Sequence, residues 1–143
     1  MKALRYSILI LVCGYLLSCK KNDTTTPSST MSASINGGST INYSASFTNS
    51  NGVMVLQGTT NTSTIQIYIQ IQGPGIQYFQ SAPNYPYATI TNNSSGSYST
   101  SAVNQNEISI SSGTTSGLYN GSFSFTGTGN AGSISVNGQF TNL

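Results

Sequence analysis

Two places in the chain carry side chains whose types and spacing could do chemistry. One is a thiol, Cys19, which follows Ser18 at the end of an apolar run. The other is the segment 73–87, Gly-Pro-Gly-Ile-Gln-Tyr-Phe-Gln-Ser-Ala-Pro-Asn-Tyr-Pro-Tyr. It breaks the surrounding strand pattern, and ordered loops of this length are often functional. Tyr78, Tyr85 and Tyr87 could stack on sugar rings, with Gln77, Gln80 and Asn84 hydrogen-bonding to hydroxyls. Tyrosine gives a large contact area with a polar tip at low entropic cost. The same residues would also suit a structural part, in which the rings close one end of a core and Pro83 and Pro86 stiffen an edge.

Composition excludes most other chemistry. The chain has no His and no Trp, and from residue 31 onward it has no Lys, Arg, Asp or Cys and one acid, Glu107. Glycoside hydrolysis normally takes two carboxylates. A Ser-His-Asp or Cys-His site would lack its base. A zinc site would lack nitrogen and sulfur ligands, a strong calcium site its carboxylates, and a phosphate site its Arg or Lys. The expectation is a non-enzyme with no catalytic residue, no metal and no cofactor. Glu107 precedes a short strand and reads as a solvated strand end. The formal charge of +2 comes from Lys2 and Arg5; Lys20, Lys21, Asp23 and Glu107 cancel one another. With no basic patch, nucleic acid is not an expected partner.

The elements around Cys19 say how it would be used. Lys2 and Arg5 form a basic start, and residues 6–17 are almost wholly apolar. About a dozen apolar residues fall short of the ~20 that a helix needs to span a bilayer, so residues 1–18 read as a secretory signal peptide. Leu16-Leu17-Ser18-Cys19 resembles the lipobox of bacterial lipoproteins. That resemblance implies a diacylglycerol on the Cys19 sulfur, cleavage before Cys19, and an acyl chain such as palmitate on the new amino group. It needs a small residue before the thiol, and Ser18 fits. One acyl chain anchors only marginally, whereas two or three hold a protein at the membrane. With Cys13 removed and Cys19 carrying lipid, no thiol remains for a disulfide.

Residues 19–30 are polar, contain Pro27 and lack apolar periodicity, as expected of a flexible tether. The Cys19-Lys20-Lys21 start is similar to lipoproteins of the Bacteroidota, and Asp23-Thr24-Thr25 resembles an O-glycosylation motif of that group; a plain solvated spacer is the other reading. The location implied is the bacterial cell envelope, at the outer membrane, with the periplasmic and cell-surface faces both open.

Residues 31–143 read as a single β-domain. Ile65, Ile67, Ile69 and Ile71 alternate with Gln66, Tyr68, Gln70 and Gln72, the period-two pattern of a half-buried strand. The same alternation joins Met31, Ala33 and Ile35, then Ile41, Tyr43, Ala45 and Phe47. Val53 to Leu56 is short and apolar. Ile108 and Ile110, Phe123 and Phe125, and Ile134 and Val136 with Phe140 mark later strands; 87–91 and 97–103 are weaker ones. Asn-Gly, the dipeptide best suited to tight hairpin turns, occurs at 36–37, 51–52, 120–121 and 137–138. The last two lie inside continuing alternation and read as bulges. No helical periodicity follows residue 19. The expected fold is all-β, an antiparallel β-sandwich or small barrel of about 8–9 short strands, preceded by a signal peptide.

Glu107–Ile110, then Gly121–Thr126, then Ser133–Phe140 is similar to the C-terminal hairpins of a family of small Bacteroidota lipoproteins of unknown function. That family opens on a strand ending in Asn-Gly, as Ile35-Asn36-Gly37 does, and closes on Gly-x-Phe. The resemblance implies a compact β-domain and an envelope location, and brings no catalytic residue. The reading is a non-enzymatic, membrane-anchored lipoprotein serving as a structural or interaction module. The alternatives are a glycan- or peptide-binding module using the 73–87 loop, or an accessory subunit whose strand edge pairs with an envelope protein.

Overall fold

The computed structural model describes residues 28–70, 72–101, 106–113 and 116–143. The expected signal segment, Cys19 and most of the expected tether lie outside the described residues, as does Ile71. Ten strands run in chain order: β1 (Thr30–Ile35), β2 (Ile41–Ser50), β3 (Val53–Thr59), β4 (Ser63–Gln70), β5 (Gly75–Tyr78), β6 (Tyr87–Asn92), β7 (Gly96–Thr100), β8 (Glu107–Ser112), β9 (Tyr119–Gly129) and β10 (Gly132–Thr141). Every pairing is antiparallel. The order β10-β1-β2-β3-β4-β6-β7-β9 closes on itself through the β9–β10 hairpin. The domain is an eight-stranded barrel, which settles the choice between sandwich and barrel.

Two strands lie outside the closed ring. One edge of β9 is shared: β8 pairs with Tyr119–Ser124, and β7 pairs with Gly127–Gly129. β5 then pairs with the outer edge of β8. The strand count exceeds the expected 8–9 because the 73–87 segment is not all loop but contains β5.

The isoleucine alternation of β4 has the expected use. Ile65, Ile67 and Ile69 are fully buried, while Gln66 and Tyr68 face outward. The same polarity holds around the ring. Met54, Leu56, Ile90, Phe125 and Val136 point inward, and the outward rows are mostly Ser, Thr, Asn and Gln. Eight strands enclose a bore that side chains can fill, and here they fill it. Phe79 and Leu143, one in a connection and the other the last residue, complete the packing at 2 % and 1 % exposure. An apolar inside and a polar outside is the reverse of a membrane-spanning barrel.

Glycines in these strands are opposite large rings, not at bulges. Gly138 pairs with Phe123, and Gly121 with Phe140, in unbroken register along the β9–β10 hairpin. A Cβ on Gly138 would run into the Phe123 ring and the Ser32 carbonyl; one on Gly121 would meet the Phe140 ring and the Ser109 carbonyl. The expected bulges at 120–121 and 137–138 are therefore absent. The missing side chain makes room for a ring from the neighbouring strand, so the pattern continues through the Asn-Gly pair without a break. Asn51-Gly52, by contrast, is the hairpin turn expected of it. Both residues have positive φ (52° and 78°), and Ser50 pairs with Val53 across them.

Strand direction gives the barrel two distinct ends. The β1–β2, β3–β4, β6–β7 and β9–β10 turns lie at the upper rim. The lower rim holds the start of β1, the Asn51-Gly52 turn, the start of β5 and the C-terminus. The chain enters there, and the Ser29 hydroxyl donates to the Asn142 carbonyl at 2.7 Å. Hydrogen-bond partners traced from Thr30 run through Ser44, Thr59, Thr64 and Thr91 to Ser97, beside the upper β6–β7 turn. A row that climbs from one rim toward the other requires strongly tilted strands, as barrel closure demands.

Candidate functional site

The 73–87 segment lies where the ring forks. β6 and β7 are short and occupy the upper part of the gap between β4 and β9; β5 and β8 occupy the lower part. Two buried polar side chains close the fork. Asn106 Oδ1 accepts the Thr126 N–H at 2.8 Å, on the stretch of β9 between its two partners, and Asn106 Nδ2 donates to the Ser101 carbonyl at 3.3 Å. The Asn106 carbonyl accepts the Phe79 N–H at 2.9 Å. Thr100 Oγ1 accepts the Ala88 N–H at 3.1 Å and donates to the Gln80 carbonyl at 2.8 Å. Backbone groups that the divided ladder leaves without strand partners are satisfied by these two side chains.

The six candidate side chains separate into distinct settings. Tyr87 opens β6 and stacks on Tyr68 of β4, centroids 4.4 Å apart and planes 10° apart. Tyr85 leans on Tyr87 at 5.5 Å and 33° and is 40 % exposed. Tyr78 lies apart from that cluster on β5, opposite Glu107, and is 60 % exposed. Gln77 is half-buried beside a small pocket of about 10 Å³ shared with Met54, Ile69 and Ile110. Gln80 is tied down: its N–H donates to the Pro86 carbonyl at 2.7 Å and its Nε2 to the Tyr78 carbonyl at 3.2 Å. Asn84 is exposed, with its N–H on the Ser81 carbonyl. The peptide bonds before Pro83 and Pro86 are cis.

Two residues that the sequence reading did not single out matter here. Phe79, not a tyrosine, is the ring from this segment that enters the core, edge-on to Phe125 at 5.5 Å. Tyr68 completes the outer cluster. It was legible as the one aromatic on the outward face of the Ile65–Ile71 alternation, but its pairing with Tyr87 depends on register. Around it runs a short amide chain: Tyr68 Oη donates to Gln66 Oε1 at 3.2 Å, and Gln66 Nε2 donates to Gln57 Oε1 at 3.0 Å. Burial pushes the Tyr87 phenol above its ordinary range, and neighbouring Tyr68 and Tyr85 add to the shift.

The wall presents hydroxyls, amides and phenol rings. Glu107, the one carboxylate of the barrel, starts β8 and is half-buried. Its surroundings are Ser122, Ser124 and Asn137, lining a shallow depression of about 270 Å³. A second depression of about 300 Å³ opens beside it over Ser32, Ser122 and Gln139. Both offer hydroxyls and amides beside a comparable area of apolar surface. Among the described residues, no three or more His, Cys, Asp or Glu side chains gather where they could hold a metal ion. No protein-family model matches the chain, and no curated protein matches it.

Proposed function

We propose that this chain is a lipid-anchored, non-enzymatic module of the bacterial cell envelope, at the outer membrane, that works through the outer wall of a solid barrel. The observation that carries the reading is Leu16-Leu17-Ser18-Cys19 placed after a basic start and a short apolar run. The fold supports it in two ways. The barrel has its apolar side chains inside and a polar wall outside, as suits a body standing in water beside a membrane. Its first strand begins close behind Cys19, with Ser29 bonded at the lower rim. The bore is filled by side chains, so a ligand or protein partner would meet the wall or the rims.

The test is Cys19→Ala in the full chain. The wild type should sediment with membranes and carry the mass of its acyl chains; the variant should appear in the soluble fraction. Membrane retention unchanged by the substitution would overturn the anchor.

A second reading is favoured by one observation, the tyrosine cluster rimmed by Gln57 and Gln66. Amides and phenols around an accessible ring suit an uncharged glycan. The Tyr68–Tyr87 pair spends ring faces on each other, which leaves Tyr85 as the most accessible ring of the cluster. On an array of neutral glycans, Tyr85→Ala should lose at least tenfold in apparent affinity, about 1.4 kcal/mol, without unfolding the barrel. A signal that Tyr85→Ala leaves intact would place any glycan site elsewhere.

A further inference from the structure

We infer that the outward face of β5 is a membrane-contact surface, where Ile76 and Tyr78 rest against the lipid headgroups beneath the tethered barrel. The inference rests on the anchored reading above. Ile76 and Tyr78 are the two most exposed large hydrophobic side chains among the described residues, at 59 % and 60 %. They sit at alternate positions on one strand and share its outer face, with half-buried Gln77 turned the other way. A branched aliphatic side chain has no hydrogen bond to give a sugar hydroxyl. The tyrosine beside it, apolar in body and polar at its tip, belongs to a residue type enriched where protein meets the bilayer interface.

Position in the fold selects the occupant. Ile76 pairs with Ser109, which continues through Ser122 and Gln139 to Ser32 on β1. In the other direction, hydrogen-bond rows climb from Thr30 to the upper rim. In this direction the same tilt carries the row downward, which sets Ile76 at the rim where the chain enters. The lipid-bearing Cys19 lies nine residues before Ser28, and nine residues reach at most about 30 Å fully extended. Along its longest strands, of ten or eleven residues, a tilt of roughly 40° makes the barrel about 25 Å tall. The tether joins the lower rim, so that rim stays within about 30 Å of the bilayer, whereas the upper rim can stand up to a further barrel height away. Tethering raises the local concentration of the surface, so a small apolar contact suffices to orient the body. From residue 28 onward the chain has no Lys or Arg, so the contact draws on apolar burial, not on anionic lipid.

The experiment uses the full lipidated chain in vesicles of phosphatidylethanolamine and phosphatidylglycerol. Ile76→Cys and Tyr78→Cys are each labelled with an environment-sensitive thiol dye, as is Ala131→Cys in the β9–β10 turn of the upper rim. The expected result is a blue shift and a several-fold gain in emission at 76 and 78, quenched by nitroxide-labelled lipid and insensitive to salt, with neither effect at 131. Equal, unquenched emission at all three positions would overturn the inference. So would a signal at 76 that falls as the protein is diluted into excess lipid, since that marks a second copy as the occupant. Failure of the anchor itself reads differently: wild-type chain would take up the dye at Cys19 and would not float with the vesicles.

Discussion

At the scale of single residues, the barrel depends on absent side chains as much as on present ones. A strand glycine lowers β-propensity and contributes no packing, yet Gly121 and Gly138 stand where a ring from the adjoining strand must lie. Alanine usually stabilises an extended backbone relative to glycine. Here the sign reverses, because the new methyl meets the Phe123 ring and a backbone carbonyl that cannot withdraw. Gly138→Ala should cost about 1–3 kcal/mol, the range for overpacking a filled core, read as a lower urea midpoint at unchanged slope. Phe123→Leu alone loses ring contacts and is also destabilising. Combined with Gly138→Ala it should cost less than the two changes summed, because each relieves the other. Strict additivity would mean that the ring and the glycine are not packed as a pair. The sequence displays Asn-Gly at 120–121 and 137–138 as it does at 51–52. Only the pairing tells a hairpin turn from a socket for a ring.

At the scale of elements, legibility follows how far each strand depends on local pattern. β4 was evident because four isoleucines at period two admit no other reading, and the Asn51-Gly52 hairpin because both its strands alternate up to the turn. β5 was hidden for the opposite reason. It follows Gly73 and Pro74, has glycine at its first position, and turns its apolar side chains outward. Its strand form comes from pairing with β8, some thirty residues later, and tertiary pairing of that kind overrides weak local propensity. Barrel closure was equally illegible, because it needs one edge of β9 to serve both β7 and β8. The candidate tyrosines were legible as an aromatic-rich segment suited either to stacking on a ligand or to closing the core, but not their division into Tyr85–Tyr87 with Tyr68 on one side and Tyr78 on the other. Asn106 holds the division open. Asn106→Ala removes the acceptor for the Thr126 N–H and leaves that group buried without a partner, which costs about 1–3 kcal/mol. Hydrogen exchange should then rise first at Phe79 and Thr126 and leave the β3–β4 hairpin protected. Uniform loss of protection across the barrel would show that the fork and the ring unfold as one unit.

At the scale of the whole molecule, the scarcity of ionisable groups becomes a property of the fold. Acid unfolding ordinarily proceeds by protonating carboxylates that the native state pairs, and by charging buried histidines. From residue 28 to Leu143 there is one acidic side chain, Glu107, and no histidine. With so few groups to protonate, stability should change little between about pH 5 and 8. The alkaline side differs. Tyr87 holds its proton more firmly in the folded state, through burial first and the Tyr68 and Tyr85 phenols second. Below about pH 10 the phenol is neutral in both states, and the stabilisation is complete. As pH rises past that value the unfolded chain releases the proton first, so stability declines until the folded phenol ionises as well. Urea unfolding followed from pH 5 to 11 should therefore trace a plateau and then a fall. Tyr87→Phe removes the proton and should make the fall shallower, while losing little of the ring stack on Tyr68. If the variant fell as steeply as the wild type, the alkaline loss would belong to other tyrosines and not to the cluster. The plateau has a further physical consequence. A neutral barrel gains its solubility from Ser, Thr, Asn and Gln, with no like-charge repulsion to keep copies apart. Attachment to a membrane through Cys19 would restrict the encounters that such a surface does little to discourage.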